Sequence, residues 1–372
     1  LKETMKRLIV ISAVNVRSGG TLSILQDFLN YLDTSLASSY KIIALVHSKS
    51  LVSNTKNINY IEFPKSTSSY LYRLYYEYFY FYRLSKELNP YLWLSLHDMT
   101  PRVNASIQAV YCHNPTPFYK LTKKDFFLDK NVSLMSLLYK FIYQINIHRN
   151  NFVIVQQNWM KDEFKKMFDV KDVIVANPNI DISIPTYIKK KHNNKKVFFF
   201  PSFPRVFKNF EVICDAVSMV DEKYNGMFEV LITIDGNENK YAQMIYKKYN
   251  DVKNIKFIGL QTREKVFEIY AQSDCLIFPS KLETWGLPIS EYKLFNKPIL
   301  AADLPYAHET VGNYNKVNFF EPDDAQMLAR YIVAFLENNL IFVKHAAAKK
   351  SRLKAESWSE LCNILLNTEV NK

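Results

Sequence analysis

Short unbroken apolar runs alternate along the chain with longer segments whose apolar residues recur at helical spacing. Arg7–Ala13 and Lys41–His47 read as strands on either side of a helix over Leu22–Leu32. Further strand-length runs follow at Tyr91–Leu96, Ile107–Cys112, Phe152–Val155 and Val173–Ala176, separated by segments of helical character. The alternation predicts an α/β domain over residues 1–180, with a parallel sheet covered by helices. Residues 181–196 are polar, basic and interrupted by Pro185, and read as a linker. A second series covers residues 197–350, with strands at Val197–Pro201, Phe228–Ile234, Ile255–Ile258, Cys275–Phe278 and Pro298–Ala302. Helices are predicted between them at Phe210–Val220, Ala242–Tyr249, Arg263–Gln272 and Pro288–Phe295. Residues 351–372 are expected to supply a last helix, opened by Trp358, that packs back on the first domain. The duplication is architectural, without a fine sequence repeat, and a cleft between two α/β halves is the expected ligand site.

Composition narrows the classes. None of the apolar runs approaches the roughly 20 residues a membrane-spanning helix needs. Leu1–Arg7 is polar and Leu8–Val14 is short for a secretory signal, so a cytoplasmic protein is expected, with Met5 a candidate natural start after Leu1–Thr4. Cys112, Cys214, Cys275 and Cys362 lie too far apart for a zinc pattern and are expected as buried free thiols; no metal site is expected. Forty-eight basic against 36 acidic residues give a net charge of +12, which favours an anionic partner: nucleic acid, anionic lipid or a phosphorylated small molecule. The 372 residues include only 7 glycines, about 2% against a usual share of about 7%. Most of them fall in loops after predicted strands.

One such loop is KLETWGLPISE, Lys281–Glu291. Pro288 suits the first turn of a helix, whose N-terminus offers N–H groups and partial positive charge to a phosphate that Gly286 would let approach. Glu291, one turn inside, could accept hydrogen bonds from a ribose diol, and Glu283 could face a sugar beyond the phosphates. The plainer reading is that two glutamates beside a helix start complement its dipole. In PSFPRVFKNF, Arg205 and Lys208 lie just past a strand end, where cations could grip a diphosphate; two surface cations are the plainer alternative. Gly19 and Gly20, in SGGT, follow the first strand and open the first helix.

The stretches FIGLQTREKVFEIYAQSDCLIFPSKLETWGLPISEYKLFNKPILAADLP and ETVGNYNKVNFFEPDD, within Ile255–Asp324, resemble the signature region of retaining, nucleotide-sugar-dependent glycosyltransferases of family 4. That resemblance implies the GT-B fold, with two Rossmann-like domains whose parallel sheets face each other across a cleft. Its E-x7-E motif is matched by Glu283 and Glu291, preceded by Pro279–Ser280. The resemblance assigns Glu291 to the ribose and Glu283 to the transferred sugar. Arg205 and Lys208 match its basic pair, although Ser202–Pro204 stands where the family has a glycine. It implies catalytic roles for Glu283, His113, Lys208 and Arg205. It also implies a donor site of Gly19, Gly20, Arg205, Lys208, Phe257, Ile258, Gly259, Glu283, Thr284, Gly286, Leu287 and Glu291. His97, Asp98 and Asn114 are expected on the acceptor side, with the first domain as the acceptor domain. No cofactor or metal is expected, the nucleoside-diphosphate sugar being a substrate, and retention would proceed by a front-face reaction.

The chain holds 25 Tyr and 26 Phe, and two aromatic segments of the first half stand out. Tyr70–Leu88 is expected as a helix with aromatics nearly all round, most simply a core helix. Lys120–Asn151 mixes lysines with Phe, Leu and Tyr and could instead rest on an anionic membrane, which would suit a lipid-linked saccharide acceptor and a peripheral place on the inner face of the plasma membrane. The expected activity is hexosyl transfer to a saccharide or lipid-linked saccharide in bacterial surface polysaccharide synthesis, O-antigen or capsule. Two alternatives stand beside it: a catalytically silent GT-B scaffold, and a nucleic-acid-binding protein. The latter lacks a binding motif, so no nucleic-acid partner is expected. A nicotinamide enzyme would require G-x-G-x-x-G after a strand, which is absent.

Overall fold

The buried apolar runs become the inner strands of two wholly parallel sheets, one in each of two units. The computed structural model describes residues 6–52, 55–177, 195–345 and 353–367, so Leu1–Met5 and residues 181–194 of the expected linker lie outside the described residues. The first unit comprises Leu1–Asn114, Leu138–Ile180 and Lys350–Lys372; the second comprises Pro115–Leu137 and Asp181–Lys349. Residues 115–137 therefore group with the second unit, although they fall within the stretch 1–180.

The first unit holds β1 (Leu8–Ala13), β2 (Lys41–Val46), β3 (Ile58–Glu62), β4 (Leu92–Ser95), β5 (Ile107–Tyr111), β6 (Phe152–Val155) and β7 (Val173–Ala176). The second holds β8 (Lys196–Phe200), β9 (Phe228–Ile232), β10 (Ile255–Phe257), β11 (Cys275–Phe278), β12 (Ile299–Ala302) and β13 (Val317–Phe320). A short β14 (Lys354–Ala355) returns to pair with β7 at the edge of the first sheet. The sheet orders are β14-β7-β6-β5-β4-β1-β2-β3 and β10-β9-β8-β11-β12-β13. In each, the chain winds outward to one side and then crosses back to wind the other way. This reversal lies between β1 and β4 in the first sheet and between β8 and β11 in the second. Loops diverge at such a point and leave a crevice beyond the carboxyl ends of the strands.

Residues of β1 are buried on both faces beyond Leu8, as its unbroken run LIVISA requires. By contrast, β3 has only Ile58 fully buried, and its INYIE lacks the apolar continuity of an inner strand, which is why the pattern did not predict it. The second face of the first sheet carries Trp93 and Phe81. Helix Trp358–Leu366 covers the other face: the Trp358 ring lies 4.8 Å from Phe28, and its Nε1–H donates to Asp27 Oδ2 at 2.6 Å. All four cysteines are buried and free.

The aromatic segment departs from a plain core helix. It runs as Tyr70–Tyr75, a π turn over Tyr76–Tyr80 and Phe81–Leu88, and buries Glu77, Phe81 and Ser85 while Tyr70, Leu71 and Phe79 face outward. Among the described residues, no helix is long and apolar enough to cross a membrane.

Candidate functional site

In the second unit the loops after β8 and β11 are joined at the reversal point. The Lys281 N–H donates to Phe207 O at 2.7 Å, and Ser280 Oγ lies 3.3 Å from the same carbonyl. Asn209, in left-handed conformation at φ 60°, donates through Nδ2 to Pro279 O and Pro322 O. These bonds fix a short turn, Val206–Lys208, that presents Lys208 to the β11 loop, where its ammonium donates to Glu283 Oε1. Their side chains retain 18% and 14% exposure, enough for a ligand to reach them. Arg205, stacked over Phe203, reaches both oxygens of buried Asp129 at 3.3 Å.

The β11 loop turns into helix Leu287–Lys293 through Gly286, whose φ of 81° is a conformation that a Cβ disfavours. No side chain caps that helix, and Thr284 and Leu287 stand partly exposed beside its start. Glu291 lies inward, 5% exposed, with Oε1 at 3.0 Å from Arg263 and Oε2 accepting from Tyr270 at 3.1 Å. Burial pushes its carboxyl above the usual range, opposed by the Arg263 charge and the Tyr270 hydroxyl. Phe257 ends β10, and Ile258 and Gly259 follow it; Phe257 packs edge-on to Tyr246, and Gly259, at φ 67°, abuts Asp235.

In the first unit, register pairs Ser12 with Ser95, so the loops after β1 and β4 leave the sheet at one level. His97 is fixed there by both ring nitrogens: Nδ1 lies 2.9 Å from Ser12 O and Nε2 2.6 Å from Glu77 Oε1. A carbonyl can only accept, so Nδ1 carries a proton, and a second proton fills the Nε2–Oε1 bond. Arg73 donates to His97 O at 3.1 Å. Asp98, at φ 69°, accepts through Oδ1 from the N–H groups of His113 and Asn114 at 2.5 and 3.1 Å and from the Tyr143 hydroxyl at 2.9 Å. His113 stacks on Tyr111 with ring centroids 4.3 Å apart, and Nδ1 lies 3.2 Å from the Gln156 amide. Desolvation holds its pKa below the usual histidine value against the pull of Asp98. In this network Nδ1 accepts, leaving the neutral ring's proton on Nε2. Gly19 and Gly20 are exposed where β1 passes into helix Gly19–Tyr31.

The structure thus brings together Arg205, Lys208, Glu283, Thr284, Gly286, Leu287 and Glu291 around one reversal point, and His97, Asp98, His113 and Asn114 around the other. Sequence reading missed Arg263, Glu77, Arg73 and Asp129 as partners. Arg263 and Glu291 are joined only by the fold and left no spacing signal. Arg73 and Glu77, at i and i+4 inside an aromatic run, are the one legible anomaly among them.

Residues 183–354, a little under half of the chain, match the family model described as Glycosyl transferases group 1. This stretch is similar to the glycosyl transferases group 1 domain. It covers every second-unit residue at the β8/β11 reversal named above except Asp129, and the whole chain has the GT-B fold. Curated relatives include the O-antigen chain mannosyltransferase RfbU of Salmonella typhimurium, 23% identical over 223 residues, covering 58% of this chain and 57% of that one. Another is the GtfA subunit of the UDP-N-acetylglucosamine–peptide N-acetylglucosaminyltransferase of Streptococcus agalactiae, 23% identical over 228 residues, 57% of this chain and 44% of that one. The match spans about half the length of these relatives. Among solved structures, sucrose-phosphate synthase from Thermosynechococcus elongatus is similar at a TM-score of 0.59, 12% identity and 90% coverage of both chains. Anabaena HepE in complex with UDP is similar at 0.58, 14% identity, 89% of this chain and 90% of that one.

Proposed function

We propose that the group 1 domain binds a nucleoside-diphosphate sugar at the β8/β11 reversal and that the chain transfers its hexosyl group, with retention, to a saccharide acceptor. The observation that carries this reading is the Lys208–Glu283 pair, a cation and a carboxylate from the two diverging loops, joined and still reachable by a ligand. In the reaction the bond from the anomeric carbon to the diphosphate oxygen breaks as a bond to the acceptor oxygen forms on the same face, and the hydroxyl proton passes to the leaving phosphate. Lys208, with Arg205, would neutralise the diphosphate without a metal ion. Glu283 would hold Lys208 until the donor arrives and then face the sugar. Glu291 would hold the ribose with the lone pairs left by Arg263 and Tyr270. Phe257–Gly259 would border the base, and His97, Asp98, His113 and Asn114, with Gly19–Gly20, would serve the acceptor and donor sugar. RfbU is named for O-antigen chain mannosyl transfer, which supports an acceptor of surface polysaccharide synthesis, and HepE was solved with UDP, which supports a nucleotide donor; the acceptor in this reading is lipid-linked. Such an acceptor sets the work at the cytoplasmic face of the plasma membrane.

The test is calorimetric titration with UDP, GDP and dTDP, then incubation of the matching nucleotide sugars with a lipid-linked saccharide while nucleoside diphosphate release is followed. One diphosphate should bind, Lys208→Ala should weaken it, and release should depend on the acceptor. No binding by any diphosphate overturns the reading, and binding without turnover makes the chain a silent scaffold.

A further inference from the structure

Helix Lys130–Gln144 carries more apolar surface than its own packing covers. It buries Val132, Ser133, Ser136 and Tyr143, while Leu134, Leu138 and Phe141 on the outward side are 55%, 47% and 66% exposed. Those three recur at i, i+4 and i+7, one continuous stripe. Tyr139, on its flank, lies within electrostatic reach of Tyr70 and Arg73, so the helix neighbours the aromatic segment, where Tyr70, Leu71 and Phe79 also face outward. An exposed apolar face of this extent marks an interaction site.

Charge selects the occupant. The only acidic residues between Lys120 and Arg149 are Asp125 and Asp129, and both are buried, one in a capping box with Thr122 and the other against Arg205. Lys120, Lys123, Lys130 and Lys140 are exposed. The solvent-facing charge of the stretch is therefore wholly positive around an apolar stripe, the pattern of a helix lying in the plane of an anionic bilayer, with lysines at the headgroups and Leu and Phe below them. Exposed tyrosines suit the same boundary, being apolar in the ring and polar at the tip. A second copy of this chain would set lysines against lysines.

We infer that this face docks on the headgroup–acyl boundary of an anionic lipid bilayer. The surface rests on the proposed function only for which membrane leaflet it meets, and lipid binding and donor binding fail separately. The full chain is floated with vesicles of phosphatidylcholine alone and of equal parts phosphatidylcholine and phosphatidylglycerol, and its oligomeric state is measured by ultracentrifugation. Binding to the anionic vesicles only, weakened by salt, is expected. Leu138→Gln with Phe141→Gln should reduce it by at least about tenfold, leaving nucleoside-diphosphate titration unchanged. Lys130→Glu with Lys140→Glu, which leaves the apolar stripe in place, should do the same and guards against misfolding of the first variant. Equal binding to both vesicles, or none, overturns the inference. So does a dimer that the Leu138 and Phe141 substitutions abolish in the absence of vesicle binding, which would assign the face to a second copy.

Discussion

At the β1/β4 reversal the polar side chains are already committed to partners: His97 and Glu77 are 1% and 0% exposed, and half-buried Asp98 accepts from two backbone N–H groups and the Tyr143 hydroxyl. At the β8/β11 reversal Lys208 and Glu283 meet nearer the solvent, and the helix that follows starts without a side-chain cap. The same winding of strands thus yields one crevice whose ionisable groups set the shape of their loops and another whose charges can exchange partners with a ligand. Topology places a crevice at each reversal, but the loop residues decide how many of its polar groups are already committed to holding the fold.

Six substitutions would break or sharpen that contrast. Glu77→Ala strands the His97 Nε2 proton in the interior. Loss of one partner from a buried pair costs about 3–5 kcal/mol, to be read from urea unfolding. A loss below about 1 kcal/mol, typical of exposed pairs, would put the β1/β4 cluster on a par with surface charges. Lys208→Ala should lower turnover by about 10²–10³-fold, the usual scale for one electrostatic contact to a leaving group, while its midpoint of unfolding changes little. If unfolding suffers and turnover does not, the two reversals have been assigned the wrong way round.

Gly286→Ala should cost about 1–2 kcal/mol through its left-handed backbone, since an added Cβ would meet its neighbours only at ordinary contact distance, 3.5 Å. Gly20→Ala, with open space around the site, should leave the melting temperature nearly unchanged or slightly raise it. The smallest effects are in pH. Glu291 has a folded pKa above its unfolded one, so its contribution to stability is present at low pH and lost as pH rises from the ordinary carboxylate value to the raised folded value. His113 has a folded pKa below its unfolded one, so its contribution is lost as pH falls from the ordinary histidine value to the depressed one. Melting curves across pH should lose the first slope in Glu291→Gln and the second in His113→Asn. Slopes that persist would mean other groups carry the titration.

Much of the architecture was legible because an inner parallel strand must be largely apolar, and β11 is so throughout while β1, β4, β5 and β8 each carry a single polar residue. β3 and β13 were missed for the complementary reason: Asn59, Tyr60 and Glu62, and Asn318, dilute the runs of strands at or near the sheet edges. The helical character of Tyr70–Leu88 was also legible, but aromatic content alone could not say which side would be buried. Glu77 settles that, because its pairing with His97 turns one side of the segment inward.

The sequence by itself determined the order of strands and helices, the loops that carry glycine, the glutamate pair in Lys281–Glu291 and the positive balance of charge, since each depends on neighbours along the chain. Only the tertiary structure decided that Lys208 meets Glu283, that Arg263 meets Glu291, that Glu77 meets His97 and that a Leu and Phe stripe is left facing outward. Those meetings join residues between 20 and 75 positions apart, and no local propensity records a distance that exists only after the sheets have formed.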